Sequence, residues 1–149
     1  MKWVYLPKKM GCIVGIDYGS KRTGLATTDP HQIIASSLVS LPTNEVLSYL
    51  EDYCKVVKVD IFVVGKPIQK DGLPSAIESE IELFVYQLKE LFSECSVERY
   101  DERFTSKIAA QTLLQTGIKK KQRRDKSILD RISATLLLQS YLDFKSNVL

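Results

Sequence analysis

The stretch "IVGIDYGSKRTGLATTD", residues 13–29, carries an apolar run directly into a carboxylate, then into a glycine-containing polar turn and a second strand-like run. The cluster Ile13, Val14 and Ile16, flanked by Gly11 and Gly15, reads as a buried strand that ends on Asp17. A charge at the end of a buried strand needs a partner, and the search for that partner organises the reading of the rest of the chain.

Outward from this stretch, "TGLATT" and "QIIASSLVS" read as two further short strands separated by the turn signal Asp29-Pro30, and their close spacing predicts an antiparallel meander. A helix is predicted from about Asn44 to Val57, with Val46, Leu47, Leu50, Tyr53, Cys54 and Val57 on one stripe. "VDIFVVG" has the continuous apolar character of a parallel strand covered on both faces. The loop "GKPIQKDGLPS" leads into a second helix, where Ser75 and Glu78 form a capping-box pattern and Ile77, Ile81, Phe84, Val85, Leu88, Leu91 and Phe92 recur at helical spacing. "SVERYD" is the fifth strand. Thr105 is placed to cap a helix to about Thr116, with Gly117 as its stop, and a last helix begins at Ser127 with Ile128, Ile132, Leu136, Tyr141 and Leu142 on its apolar face. Right-handed crossovers then give an α/β fold: a mixed five-stranded sheet, three antiparallel strands followed by two parallel ones, with helices on both faces.

The 149 residues suit one domain, 44% hydrophobic and 26% charged, in the range of a soluble globular chain. Met10 offers a second start, which makes residues 1–9 a short extension. No run reaches the length of a membrane helix, and the N-terminal segment lacks a small-residue cleavage site. Cys12, Cys54 and Cys95 are too scattered for a disulfide framework or a zinc knuckle, which points to the cytoplasm. The one histidine, His31, follows Asp29-Pro30 in a turn, so the sequence does not point to histidine-based triads or His-rich metal sites, and the chemistry is expected to fall to carboxylates. The net charge of +3 is concentrated: "KKKQRRDK", residues 119–126, holds six basic residues and one acid, which leaves the remainder slightly acidic. Residues 118–126 are read as a mobile basic loop.

In such a sheet, reacting groups gather beyond the carboxyl ends of the parallel strands. Asp17 ends the first strand, Asp101 and Glu102 follow the fifth, and Asp130 falls in the first turn of the last helix. Unpaired acids brought together raise one another's pKa, a penalty that a hard divalent cation removes. Two such ions can activate a water and stabilise a leaving 3′-oxygen in phosphodiester hydrolysis. Each acid also has a structural reading: Asp17 bonding turn amides, Asp101 and Glu102 in ion pairs, Asp130 favouring a helix N-terminus, Asp71 in its "KDG" turn.

Four blocks, "GIDYGSKRTGLATTD", "VVGKPIQKDG", "DERFTS" and "LDRISATLLLQSYL", resemble in order the signature blocks of the YqgF family, from about Gly11 to Leu142. These are bacterial ribonuclease-H-like proteins described both as Holliday-junction resolvases and as nucleases that mature the 5′ end of pre-16S rRNA. The resemblance implies a metal-dependent nuclease using Mg²⁺ or Mn²⁺, with Asp17, Glu102 and Asp130 as catalytic residues and metal ligands. It also implies structured RNA or branched DNA as partner, the ribosomal particle as a setting, and a monomer or homodimer. Lys21, Arg22, Lys66, Arg103 and the basic-loop residues Lys119, Lys120, Lys121, Arg123 and Arg124 are the expected nucleic-acid contacts. The chain departs from the family pattern at Lys66, in "RFTS", and in "DRISAT". Two rivals compete: a nucleotide site of the actin and sugar-kinase type, whose first phosphate motif also reads strand–Asp–x–Gly–turn–strand, and a non-catalytic RNA-binding assembly factor.

Overall fold

The alternation of apolar residues along the first strand sends Val14 and Ile16 to one side of a sheet and Ile13 and Gly15 to the other, and the whole architecture follows from covering both sides. In a computed structural model, which describes residues 10–105 and 126–148, five strands form one sheet: β1 (Cys12–Asp17), β2 (Arg22–Thr28), β3 (Ala35–Pro42), β4 (Val59–Lys66) and β5 (Ser96–Asp101). Their order is β3-β2-β1-β4-β5; β1, β2 and β3 pair antiparallel, and β4 and β5 pair parallel beside β1. This is the predicted mixed sheet. The expectations for residues 1–9 and 106–125, which include the helix to Thr116 and the basic loop with Lys119, Lys120, Lys121, Arg123 and Arg124, lie outside the described residues.

One face is covered by α1 (Val46–Val56), entered through a 3₁₀ turn at Thr43–Glu45, and by α2 (Glu78–Leu91). Val46 and Leu50 from α1 and Ile81, Phe84 and Leu88 from α2 pack on Val14, Ile16, Leu25, Phe62 and Val64. The other face is covered by α3 (Lys126–Val148), through Ala134, Leu137, Leu138, Tyr141 and Leu142 against Ile13, Ala26, Val63 and Tyr100. Gly15 lets α3 lie close, since a Cβ there would press on the Leu138 side chain at 2.9 Å.

Three local expectations change. The capping box at α2 does not form: the Glu78 amide bonds the Ser75 carbonyl at 3.0 Å, no side chain caps the helix, and the Glu78 carboxylate turns inward. The stripe of α3 is shifted, with Ile128, Ile132 and Leu136 only half-buried, because the helix seats on the sheet through Ala134, Leu137/Leu138 and Tyr141/Leu142. Asp130 sits in the second turn of α3, whose first turn contains no acid, so the helix N-terminus does not account for it. Among the described residues no helix is long and apolar enough to cross a membrane.

Candidate active site

A single row across the sheet builds the site. Ser40 of β3 pairs with Gly24 of β2, and Gly24 pairs with Asp17 of β1. One residue beyond the Ile16–Val64 pair of the parallel ladder come Asp17 itself and Gly65. Asp17 is therefore bracketed by two glycines, and each makes room for another acid. A Cβ on Gly65 would strike the Glu102 carboxylate, and a Cβ on Gly24 would strike the backbone carbonyl of Asp130. The glycines are the reason that Asp17, Glu102 and Asp130, from β1, the end of β5 and α3, occupy one edge of the sheet. Gly19 serves the turn that follows in a related way, its Cα facing the Arg22 carbonyl with no space for a side chain.

Glu102 begins a 3₁₀ turn directly after β5 (Glu102–Phe104). Thr105, buried, closes that turn by donating both its amide (3.1 Å) and its hydroxyl (2.9 Å) to the Glu102 carbonyl. This gives Thr105 a local task that needs no helix beyond it.

The electrostatics are those of crowded acids. Asp17 and Glu102 share a side-chain hydrogen bond. Burial, then the Glu102 charge and that hydrogen bond, then the Asp130 charge push the Asp17 carboxyl well above the ordinary carboxylate range. Glu102 is also raised, by burial first, while its bond to Asp17 and the nearby Arg99 guanidinium act the other way. Asp130 acts on Asp17 through charge alone. Its own carboxylate is engaged elsewhere: Oδ2 accepts from Arg22 Nε at 3.4 Å and from Ser40 Oγ at 3.3 Å. Among the described residues no three acidic, histidine or cysteine side chains stand close enough together to enclose a metal ion.

The basic residues read from the sequence divide into two groups. Lys21 is exposed at the β1–β2 turn and Lys66 half-buried at the end of β4, paired in register with Asp101. Arg22 and Arg103 hold carboxylates: Arg22 as above, and Arg103 through a fork on Asp101, with Nη2 to Oδ2 at 2.7 Å and Nε to Oδ2 at 3.0 Å. Asp101 also accepts the Arg103 amide at 2.9 Å and starts the 3₁₀ turn, while Asp71 accepts the Leu73 amide at 2.9 Å within its turn, as a turn residue should.

Sequence reasoning missed Arg99, Glu78 and Ser40. Arg99 donates to Glu78 Oε1 at 2.5 Å and to the Gly65 and Val64 carbonyls at 3.0 and 3.3 Å, so it ties the end of β4 to α2 beside Glu102. The signal that could have found them was Glu78 itself, an acid three residues before Ile81 and seven before Val85, on the buried stripe of α2. The cysteines stay outside this chemistry; burial beside Cys95 pushes the Cys54 thiol up to about 11.

Against known proteins, the model of the RuvX family, described as Holliday junction resolvase, matches residues 11–144. The chain belongs to the RuvX family. A Flavobacterium johnsoniae relative, named "Putative pre-16S rRNA nuclease", is 49% identical over 133 residues, 89% of this chain and 96% of the relative. A Parabacteroides distasonis protein of the same name is 47% identical over 136 residues, 91% of this chain and 97% of that one. Among solved structures, Thermus thermophilus RuvC in complex with a Holliday junction substrate superimposes with a TM-score of 0.56 at 15% identity, covering 90% of this chain and 96% of that one. A second structure of the same RuvC gives 0.52 at 14% identity. The RuvX sheet, like that of RuvC, is ribonuclease-H-like.

Proposed function

We propose that this chain is a cytoplasmic, metal-dependent nuclease that hydrolyses phosphodiester bonds in structured nucleic acid, with precursor 16S rRNA as its substrate and its 5′ end as the place of action. The observation that carries the reading is the buried Asp17 carboxyl at the carboxyl edge of β1, hydrogen-bonded to Glu102 and raised by burial first and then by Glu102 and Asp130. Such a cluster burdens the fold, and its all-oxygen donor set fits a hard divalent cation, Mg²⁺ or Mn²⁺. Asp17, Glu102 and Asp130 would hold it. When bound, the ion supplies positive charge for the phosphate and a lowered pKa for a water.

The rest is the work of side chains of the chain. Asp17 and Glu102 would hold the ion as ionised carboxylates, so the proton that the crowded pair favours would pass to solvent when it binds. Thr105 fixes the backbone from which Glu102 projects. Lys21 and Lys66 put positive charge on the rim of the acid edge, where a phosphate backbone would lie. The basic segment at 119–124 would add sequence-independent affinity along that backbone.

Precursor rRNA leads because the relatives that carry that name align with this chain at 47–49% identity over about nine-tenths of its length. Branched DNA is the second reading, favoured by the family description and the RuvC likeness. The test pairs wild type with Asp17→Asn on a precursor rRNA fragment and on a four-way DNA junction, with and without Mn²⁺. Metal-dependent cutting of the RNA, lost in the variant, is expected. Preferred cutting of the junction transfers the assignment to the second reading. Binding of either substrate without any cutting makes the protein a binding factor and overturns the nuclease reading.

A further inference from the structure

Arg22 opens β2 at the edge where the acids meet, and its guanidinium is shared between two partners. Nη2 donates to Ser40 Oγ at 3.0 Å and Nε to Asp130 Oδ2 at 3.4 Å, while Ser40 Oγ donates to the same Asp130 oxygen at 3.3 Å. β2, β3 and α3 are thus joined in a closed ring of three side chains. Asp130 is bonded to a cation of the chain's own, whereas Asp17 and Glu102 are bonded to each other. The ring engages the Asp130 carboxylate with Arg22 and Ser40, and among the described residues the acids of this edge do not gather into a three-ligand cluster.

The pair is accessible. The Arg22 and Asp130 side chains are 38% and 27% exposed, so water and ions reach the carboxylate from outside. An ion pair this exposed is weak, so it yields readily to a competing cation. A divalent cation is the natural competitor, because it carries twice the charge and binds carboxylate oxygen directly. Once displaced, Arg22 remains anchored at the start of β2 with an unused planar fork, the shape that engages a phosphate through two parallel hydrogen bonds.

We propose that Arg22 is an exchangeable latch on Asp130: it occupies that carboxylate until a divalent cation takes it, and is then released toward a phosphate of the bound nucleic acid. The inference rests on the nuclease reading and adds to it an order of events, in which cation loading arms a phosphate contact. By linkage, phosphate capture by Arg22 in turn favours the cation. Arg22 is a positioning residue in the first state and a substrate contact in the second.

The test is a calorimetric titration of Mn²⁺ into the full chain without nucleic acid, for wild type, Arg22→Gln, Arg22→Lys and Ser40→Ala. Arg22→Gln is expected to bind Mn²⁺ about two- to fivefold more tightly than wild type, the worth of an exposed ion pair. Ser40→Ala and Arg22→Lys, which loosen the ring but keep the charge, should give smaller changes in the same direction, and they carry the test if Arg22→Gln does not fold. In EDTA, Arg22→Gln should match wild type within about twofold in affinity for an RNA hairpin, because Arg22 is then on Asp130. Wild type that binds Mn²⁺ through Asp17, with Arg22→Gln equal or weaker, overturns the latch and leaves the nuclease reading standing. A large drop in hairpin affinity in EDTA overturns the release toward phosphate. Wild type that binds no Mn²⁺ overturns both the latch and the metal-dependent reading beneath it.

Discussion

At the scale of single residues, the site is governed by two glycines and one crowded carboxyl. Gly65 faces the Glu102 carboxylate, the far end of a flexible side chain, so Gly65→Ala should fold and yet displace that carboxylate. A displacement of about 1 Å is expected to lower the cleavage rate by about 100-fold with little change in melting temperature; a fully active Gly65→Ala would separate Glu102 from the chemistry. Asp17 makes a prediction of opposite sign, in which the loss of a proposed metal ligand stabilises the fold. Burial and neighbouring acids raise its folded pKa above the unfolded value, so the folded state keeps a proton that the unfolded chain releases. Stability is then retained below the ordinary carboxylate range and declines as pH rises from there to the raised value. Asp17→Asn cannot ionise, and its amide can still donate to Glu102. In EDTA it should melt higher than wild type near neutral pH, with the gap closing toward pH ~4. Parallel melting curves across that interval would remove the burden assigned to this carboxylate.

At the scale of elements, α3 matters because it delivers Asp130 while covering one whole face of the sheet. Its seat depends on small residues in the strands beneath, Gly15 under Leu138 and Gly24 under the Asp130 backbone. Gly24→Ala differs from Gly65→Ala because the obstructing atom is a main-chain carbonyl, and the helix itself has to move. A destabilisation of about 1–3 kcal/mol in urea unfolding is expected, with loss of cleavage as Asp130 withdraws. Unchanged stability would mean that α3 does not lie so close. On the opposite face, α2 lacks a side-chain cap because its N-cap is Ile77, which has no hydrogen-bonding side chain, and the Glu78 carboxylate turns inward onto Arg99. The carboxylate that the helix terminus could have used is spent on holding the Val64 and Gly65 carbonyls in place through Arg99.

At the scale of the whole molecule, the two sides of the sheet divide the labour. α1 and α2 close an aliphatic and aromatic layer, and α3 closes the layer that ends in the acid edge. Along the sequence the basic residues cluster at 119–126, in a chain of net charge +3. Replacing Lys119, Lys120, Lys121, Arg123 and Arg124 by glutamine should weaken RNA binding and flatten its salt dependence. The log–log slope on single-stranded RNA should shrink by up to ~0.7 for each phosphate that the segment ceases to neutralise. Mn²⁺ affinity should stay the same. An unaltered salt slope would take this segment out of substrate binding.

The sequence by itself determined the order and type of the described strands and helices, because they are written in local periodicity: the apolar run ending at Asp17, the buried "VDIFVVG" of β4, the helical stripe from Ile77 to Phe92. It also placed three acids at the ends of elements that the topology rules bring to one edge. Partners between side chains were not legible. Glu78 fits a capping box as well as a buried ion pair, and Arg22 and Arg103 fit phosphate contacts as well as the carboxylates they hold. Only the tertiary structure decided these, because each depends on register between strands distant in the chain and on the depth at which α3 seats. Gly24 and Gly65, ordinary punctuation in a linear reading, acquire their meaning when the sheet sets them on either side of Asp17 and gives the space of their missing side chains to Asp130 and Glu102.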